Sequence, residues 1–173
     1  MTFQRPERSE YMEYQAAYVD LVPQEGDLYS IFREQSERFF AFLAALSEEQ
    51  GNYRYAAEKW SIKQMIGHLT DNDRIMSYRL LRVLRGDQTP LAGYEENDYV
   101  AAGDFDRYTL EELLKQYGLV RESTLALVAT VQEDSWTLTG TVNGNPISVR
   151  AQVCVLIGHE QHHWNVLMER YLQ

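Results

Sequence analysis

Gly158-His159-Glu160-Gln161-His162-His163-Trp164 crowds three of the chain's four histidines into five residues; the fourth is His68. Imidazole binds metals and moves protons near neutral pH, and its surroundings decide which. His159 and His163 are four apart, so on a helix they project from one face, one turn apart. Two imidazoles so placed converge on one ion. On a helical wheel His163 falls in line with Val149, Leu156 and Leu167, an inward stripe, and His159 lies on its shoulder beside Gln152. Buried polar side chains need partners, so the pair is either hydrogen-bonded in the core or metallated. His162 points about 100° away from His163 and is expected at the periphery. The string also spells His-Glu-x-x-His, but a zincin reading needs that fold's setting, and we set it aside. His68 sits on the flank of an earlier helix's apolar stripe. The wheel permits it to meet the pair, and a boundary histidine is the alternative.

Four segments of helical periodicity must position these side chains. The first runs from about Asp27 to Gln50, with Asp27 as its cap and Gly51 at its end. The second runs from about Ser61 to Arg85. Ser61 and Gln64 have capping-box spacing, Trp60 and Met65 that of a hydrophobic staple, and Gly86 suits the C′ position. The third runs from about Leu110 to Val131, behind a second capping box of Thr109 and Glu112. The fourth runs from about Ile147 to Tyr171, with Pro146 just before it. Helices two and three are joined by a long stretch from Asp87 to Tyr108, too long for a simple antiparallel turn. Between helices three and four, Asn143-Gly144 signals a small β-hairpin. The expectation is an all-α fold, a four-helix bundle. It forms a single domain over residues 1–173, with residues 1–25 as a leading tail.

Composition narrows the partners. The chain has 173 residues, 45% apolar and 24% charged, and a formal net charge of −10. That balance argues against nucleic acid and anionic membranes, which need clustered Lys and Arg, and leaves a small-molecule substrate. One cysteine, Cys154, excludes an internal disulfide and a Cys-rich zinc site. It falls on a different face from His159 and His163 and reads as a small core residue. The N-terminus lacks the pattern of a signal peptide, and no run is long and apolar enough to span a membrane. The expected location is the cytoplasm.

Trp60-Ser61-Ile62-Lys63-Gln64-Met65-Ile66-Gly67-His68-Leu69-Thr70-Asp71 and the run from Gly158 to His163 resemble the second-helix and last-helix motifs of the DinB/YfiT-like superfamily of metalloenzymes. Val19-Asp20-Leu21-Val22-Pro23 and Gly93-Tyr94-Glu95-Glu96-Asn97 resemble its YfiT-like branch, and the likeness covers nearly the whole chain. It implies a four-helix bundle in the mirror variant of up-and-down topology. It also implies a divalent metal on His68, His159 and His163, and homodimers.

A three-histidine shell is neutral and leaves a position open, which suits catalytic metal. Three functions follow. The first is a thiol-dependent S-transferase in which the ion activates a low-molecular-weight thiol such as bacillithiol or mycothiol. The second is a metal-dependent hydrolase with Glu160 or Asp71 as base or supporting partner. The third is a non-catalytic metal-binding stress-response protein. Imidazole suits zinc, nickel, iron and manganese, with zinc or nickel preferred here. Asp71, Asn72 and Asp73 are expected as solvated helix residues. Tyr94, Tyr99 and Phe105 are expected to pack the long loop on the bundle.

Overall fold

Ser61 and Thr109 cap their helices as expected, each accepting from the backbone N–H of the residue three on while that residue's side chain reaches back. In the computed structural model, which describes residues 5–172, these caps open α4 (Ile62–Leu84) and α6 (Leu110–Val128). Earlier in the chain lie α1 (Ala16–Val19) and α2 (Leu28–Ala44), the latter capped by Asp27, which accepts from Ser30 N–H. The segment expected as one helix to Gln50 breaks at Ser47, which starts a separate short α3 (Glu48–Asn52). Ser47 and Gln50 form a capping box of their own, so the chain restarts rather than continues. Gly51 lies inside α3 and ends nothing.

The long connection is not structureless: α5 (Glu96–Gly103) and a 3₁₀ turn, Phe105–Arg107, occupy it. The hairpin is present. Strands β1 (Thr139–Val142) and β2 (Asn145–Ser148) pair antiparallel about Asn143 and Gly144, at φ 49° and 76°. Two positive φ values in succession make the turn whose twist matches the strands. Leu91 bridges to this hairpin, which fixes the loop carrying Gly93 and Tyr94 over the bundle. The last helix, α7, covers Val149–Val166 and ends in a π turn, Leu167–Tyr171.

The bundle helices are α2, α4, α6 and α7. α2 packs on α6 and α7, and α4 packs on α6 and α7, so sequence-adjacent α2 and α4 sit across a diagonal. Lys63 of α4 and Leu110 of α6 flank Gly51 at one end, and Asp73 meets Arg121 and Thr124 further along, so α4 and α6 run parallel. Leu28 and Phe32 cluster with Val149 and Val153 while Phe39 and Phe42 pack on Trp164, so α2 and α7 run parallel too. The long connection with α5 is what a parallel pair requires.

Two apolar clusters fill the bundle. One gathers Leu28, Phe32, Leu80, Val83 and Val153, and the other Phe39, Leu43, Ile66, Leu113 and Tyr117. Between them lies a polar layer of Ser36, Asn72, Asp73, Arg121, His159 and Glu160, all buried. Asn72 and Asp73 are therefore not solvated, and Asp73 is fully enclosed. Among the described residues no helix is long and apolar enough to cross a membrane.

Candidate metal centre

His68 is seven residues into α4, and His159 and His163 lie on α7. The antiparallel packing of α4 on α7 carries all three to one point in the polar layer. His159 Nε2 lies 3.0 Å from His68 Nε2 and 3.2 Å from His163 Nε2. One ring nitrogen from each residue falls within 4.8 Å of the others, and among the described residues no carboxylate or thiol joins the group. Tetrahedral zinc with Zn–N of about 2.0–2.1 Å separates its nitrogens by about 3.3 Å. The two separations at His159 match that value, and the donor set of three neutral imidazoles suits such an ion.

Burial does not follow the wheel. His159 is buried and His163 is half-buried, the reverse of the stripe-and-shoulder expectation. α7 is enclosed on every face from Val149 to Glu160 and emerges from Gln161 onward, so depth varies along the axis, not around it. The cover comes from α1. A Cβ on Gly158 would lie 1.9 Å from the Tyr18 carbonyl oxygen, so only glycine lets that segment cross. Gly67 plays the same part on α4, where a Cβ would lie 2.3 Å from the Phe105 ring. Each glycine directly precedes a histidine of the triad, a signal present in the sequence and missed there.

The rings are held edge and face. Trp60 packs on His68 at 4.9 Å between centroids, and Tyr18 stands edge-on to His159 at 5.3 Å. Burial pushes the His68 imidazole down to about 4, and burial with neighbouring histidines holds His159 and His163 well below the usual range. All three are neutral at pH 7, the form in which imidazole can hold a metal. Asn72 lies 3.2 Å through Nδ2 from His159 Nδ1 and accepts at Oδ1 from the Tyr94 hydroxyl at 2.8 Å. Ligation through Nε2 puts the ring proton on Nδ1, which then needs an acceptor. A half-turn of the Asn72 amide supplies one, with Nδ2 donating to Tyr94 instead. Tyr94 thus does more than pack the loop, whereas Phe105 does pack it and Tyr99 stays about half exposed.

The remaining candidates lie elsewhere. Glu160 is fully buried, and its carboxylate accepts from Gln35, Ser36, Tyr117 and Arg121. Asp71 pairs with Arg74 at 2.9 Å on the outer face of α4. His162 stays outside the triad against Tyr18. Cys154 is buried, and burial raises its thiol to about 12. Thiol reagents at pH 8 will leave Cys154 unlabelled in folded protein and label it on denaturation; rapid native labelling, read by mass spectrometry, would contradict this placement.

Two clefts reach the triad. One, of about 320 Å³, is lined by Trp60, Lys59, Asn97, His162 and His163. The other, of about 110 Å³, is lined by His159, Asn72, Tyr94, Arg79, Tyr14 and Asn143 among others.

Residues 31–167 match the family described as the DinB superfamily. A protein of Oceanobacillus iheyensis named as a candidate metal-dependent hydrolase is 24% identical over 121 residues, 69% of each chain. Among solved structures, YfiT from Bacillus subtilis, described as a probable metal-dependent hydrolase with an unusual four-helix bundle topology, aligns with TM-score 0.72. That likeness has 16% identity over 95% of this chain and 90% of that one. A mycothiol-dependent maleylpyruvate isomerase aligns with TM-score 0.68 and 15% identity, over 84% of this chain and 60% of that one. The last two likenesses concern the fold.

Proposed function

The chain belongs to the DinB superfamily, and from that premise we propose that it is a metal-dependent enzyme acting on small molecules, with transfer of a low-molecular-weight thiol as its reaction. His68, His159 and His163 would hold one divalent ion. Bound there, the ion would supply Lewis acidity undiminished by a charged ligand, which favours a thiol's ionised form. The observation that carries the reading is the pair of clefts. One arrives at His163 and the other at His159, so two reactants can meet at the triad from different sides. A hydrolase needs one reactant and water.

The chain's own residues orient and enclose. Asn72 fixes the His159 ring through Nδ1, and Trp60 and Tyr18 hold the His68 and His159 rings and exclude water. No carboxylate of the described residues joins the triad to serve as a base, and Cys154 supplies no thiolate. The nucleophile then comes from the reactant: its S–H gives its proton to solvent water, the sulfur bonds to an electrophilic carbon, and the leaving group departs with its electron pair. Hydrolysis is the second reading, favoured by the name of the Oceanobacillus iheyensis relative.

The test uses tag-free, zinc- or nickel-loaded protein. Monochlorobimane is offered with bacillithiol, mycothiol, glutathione and cysteine, and ester and amide panels run in parallel. The expected result is metal-dependent conjugation with one of the thiols, absent in His159→Ala. Metal-dependent cleavage of an ester or amide without thiol turnover would replace the reading by hydrolysis. No turnover in either panel would make the protein a metal binder without catalysis.

A further inference from the structure

Four cationic side chains are buried among the described residues: Lys63, Arg79, Arg121 and Arg150. Three face carboxylates. Lys63 pairs with Glu48, Arg121 with Asp73 and Glu160, and Arg150 with Glu10. Arg79, 8% exposed, has none. Its Nη2 donates to the Ala92 carbonyl at 2.6 Å, its Nη1 to the Met76 sulfur at 3.5 Å, and its guanidinium lies over the Tyr94 ring at 5.7 Å. Taking a guanidinium out of water costs several kcal/mol unless a partner offsets it. A carbonyl, a thioether and a ring face carry no negative charge to neutralise it.

Arg79 lines the cleft that ends at His159. Asn72, Met76 and Arg79 follow at spacings of four and three and form one stripe along α4 facing that cleft, and His68 lies four residues before Asn72 on the same stripe. From Asn72 to Arg79 the helix advances about 10 Å. The cleft thus has the triad at one end and, further along, a cation that pairs with no carboxylate; Tyr14, Tyr94, Asn143 and the exposed Glu96 add polar groups to its walls. We infer that Arg79 anchors a carboxylate on the small molecule whose other end reacts at the triad. The inference rests on the proposed metal centre for that second end.

Chemistry and size select the class. One side of the guanidinium is already held by Ala92, which leaves N–H groups in the plane of the fork for a planar anion. The cleft is small, about 110 Å³, against about 320 Å³ for the one at His163. A carboxylate on a short chain fits it better than a phosphoryl group on the same chain. The chain's net charge of −10 makes such a buried cation a local exception, so an acidic reactant finds attraction here and repulsion over much of the surface.

The test follows the Nε–H resonance of Arg79 in tag-free protein. In metal-free protein butyrate shifts it saturably and butyramide does not. No shift, or an equal shift with butyramide, overturns the inference whatever becomes of the metal. In zinc-loaded protein, hydroxamates carrying a terminal carboxylate across two to six methylenes include one that binds at least ten-fold tighter than its matching terminal amide. Arg79→Met removes that advantage and leaves acetohydroxamate, which reaches only the ion, unchanged. An advantage that survives Arg79→Met overturns the inference, and failure of acetohydroxamate itself counts against the metal centre alone. Methylphosphonate displacing butyrate at lower concentration overturns the carboxylate assignment in favour of a phosphoryl group. Arg79→Met melts no lower than the unsubstituted protein, because it removes an unneutralised buried charge; a large fall that Arg79→Lys repairs without restoring any carboxylate advantage makes the residue structural and overturns the inference.

Discussion

Arg121→Met lowers the melting temperature by roughly 6–20 °C, the largest stability loss expected of any single substitution in the polar layer. Arg121 joins α6 to two other helices. Its Nε lies 2.9 Å from Asp73 Oδ2 on α4 and its Nη2 lies 3.1 Å from Glu160 Oε2 on α7. Its guanidinium also stacks on Phe32 of α2 at 4.6 Å, so one side chain touches all four bundle helices. Methionine fills the same space without the charge and strands two carboxylates in the core. Removing one partner of a buried ion pair typically costs about 3–5 kcal/mol. The loss carries a pH signature. Burial already holds the Asp73 carboxyl above its usual range, with Arg121 pulling the other way. Without Arg121 the folded-state pKa rises further above the unfolded value. Stability from such a group is present below the unfolded pKa and is lost as pH rises through the folded pKa. Arg121→Met therefore melts higher at pH 5 than at pH 8 in thermal scans, and Asp73→Asn with Glu160→Gln recovers part of the loss. A variant within about 1 kcal/mol of the unsubstituted protein at both pH values contradicts the role given to this layer.

Saturation of the triad with a divalent ion raises the melting temperature by about 5–10 °C when free metal is a hundred times its Kd. An ion that binds only the folded chain contributes about 2.7 kcal/mol at that ratio, and a domain of this size moves about 2–4 °C per kcal/mol. The cause is local. His68 belongs to α4 and His159 and His163 to α7, so an ion shared by them ties two helices that otherwise meet through packing. His159→Ala abolishes the rise, because His159 Nε2 is the nitrogen nearest both others. Asn72→Leu reduces metal affinity by about 10–100-fold while leaving the triad intact, the usual effect of losing the partner that orients a ligand imidazole. An equal rise in His159→Ala, followed by scanning calorimetry, places the ion somewhere else.

Local chemistry made part of this molecule legible in the sequence. Ser61 with Gln64, Thr109 with Glu112, and Asn143-Gly144 each carry their structure in adjacent residues, and each forms as read. The histidine pair on α7 is of the same kind, four residues apart on one helix. Ser47 with Gln50 was equally legible and was overridden by continuous apolar periodicity. The polar layer was not legible, since Asp73, Arg121 and Glu160 are far apart in sequence and each resembles a solvated helix residue. Only the diagonal placement of α2 and α4, with α4 and α6 parallel, turns them toward one another. The same holds for Asn72 and Arg79, whose meaning depends on the loop bridged to the hairpin at Leu91. His68 joined the other histidines by family resemblance, and the packing of α4 on α7 gives that grouping a geometric basis.

Calorimetric titration of tag-free, metal-free protein with zinc, at pH 7.5 and again at pH 6.0, tests the metal centre most directly. One equivalent binds, and His68→Ala, His159→Ala and His163→Ala each lose it. Burial keeps the three imidazoles neutral, His68 down to about 4, so few protons need displacing at pH 6.0 and the affinity falls by less than about five-fold. Three ordinary histidines with pKa near 6.5 would give a fall of about 50-fold over the same interval. No stoichiometric binding at either pH, or binding that survives His159→Ala, contradicts the account.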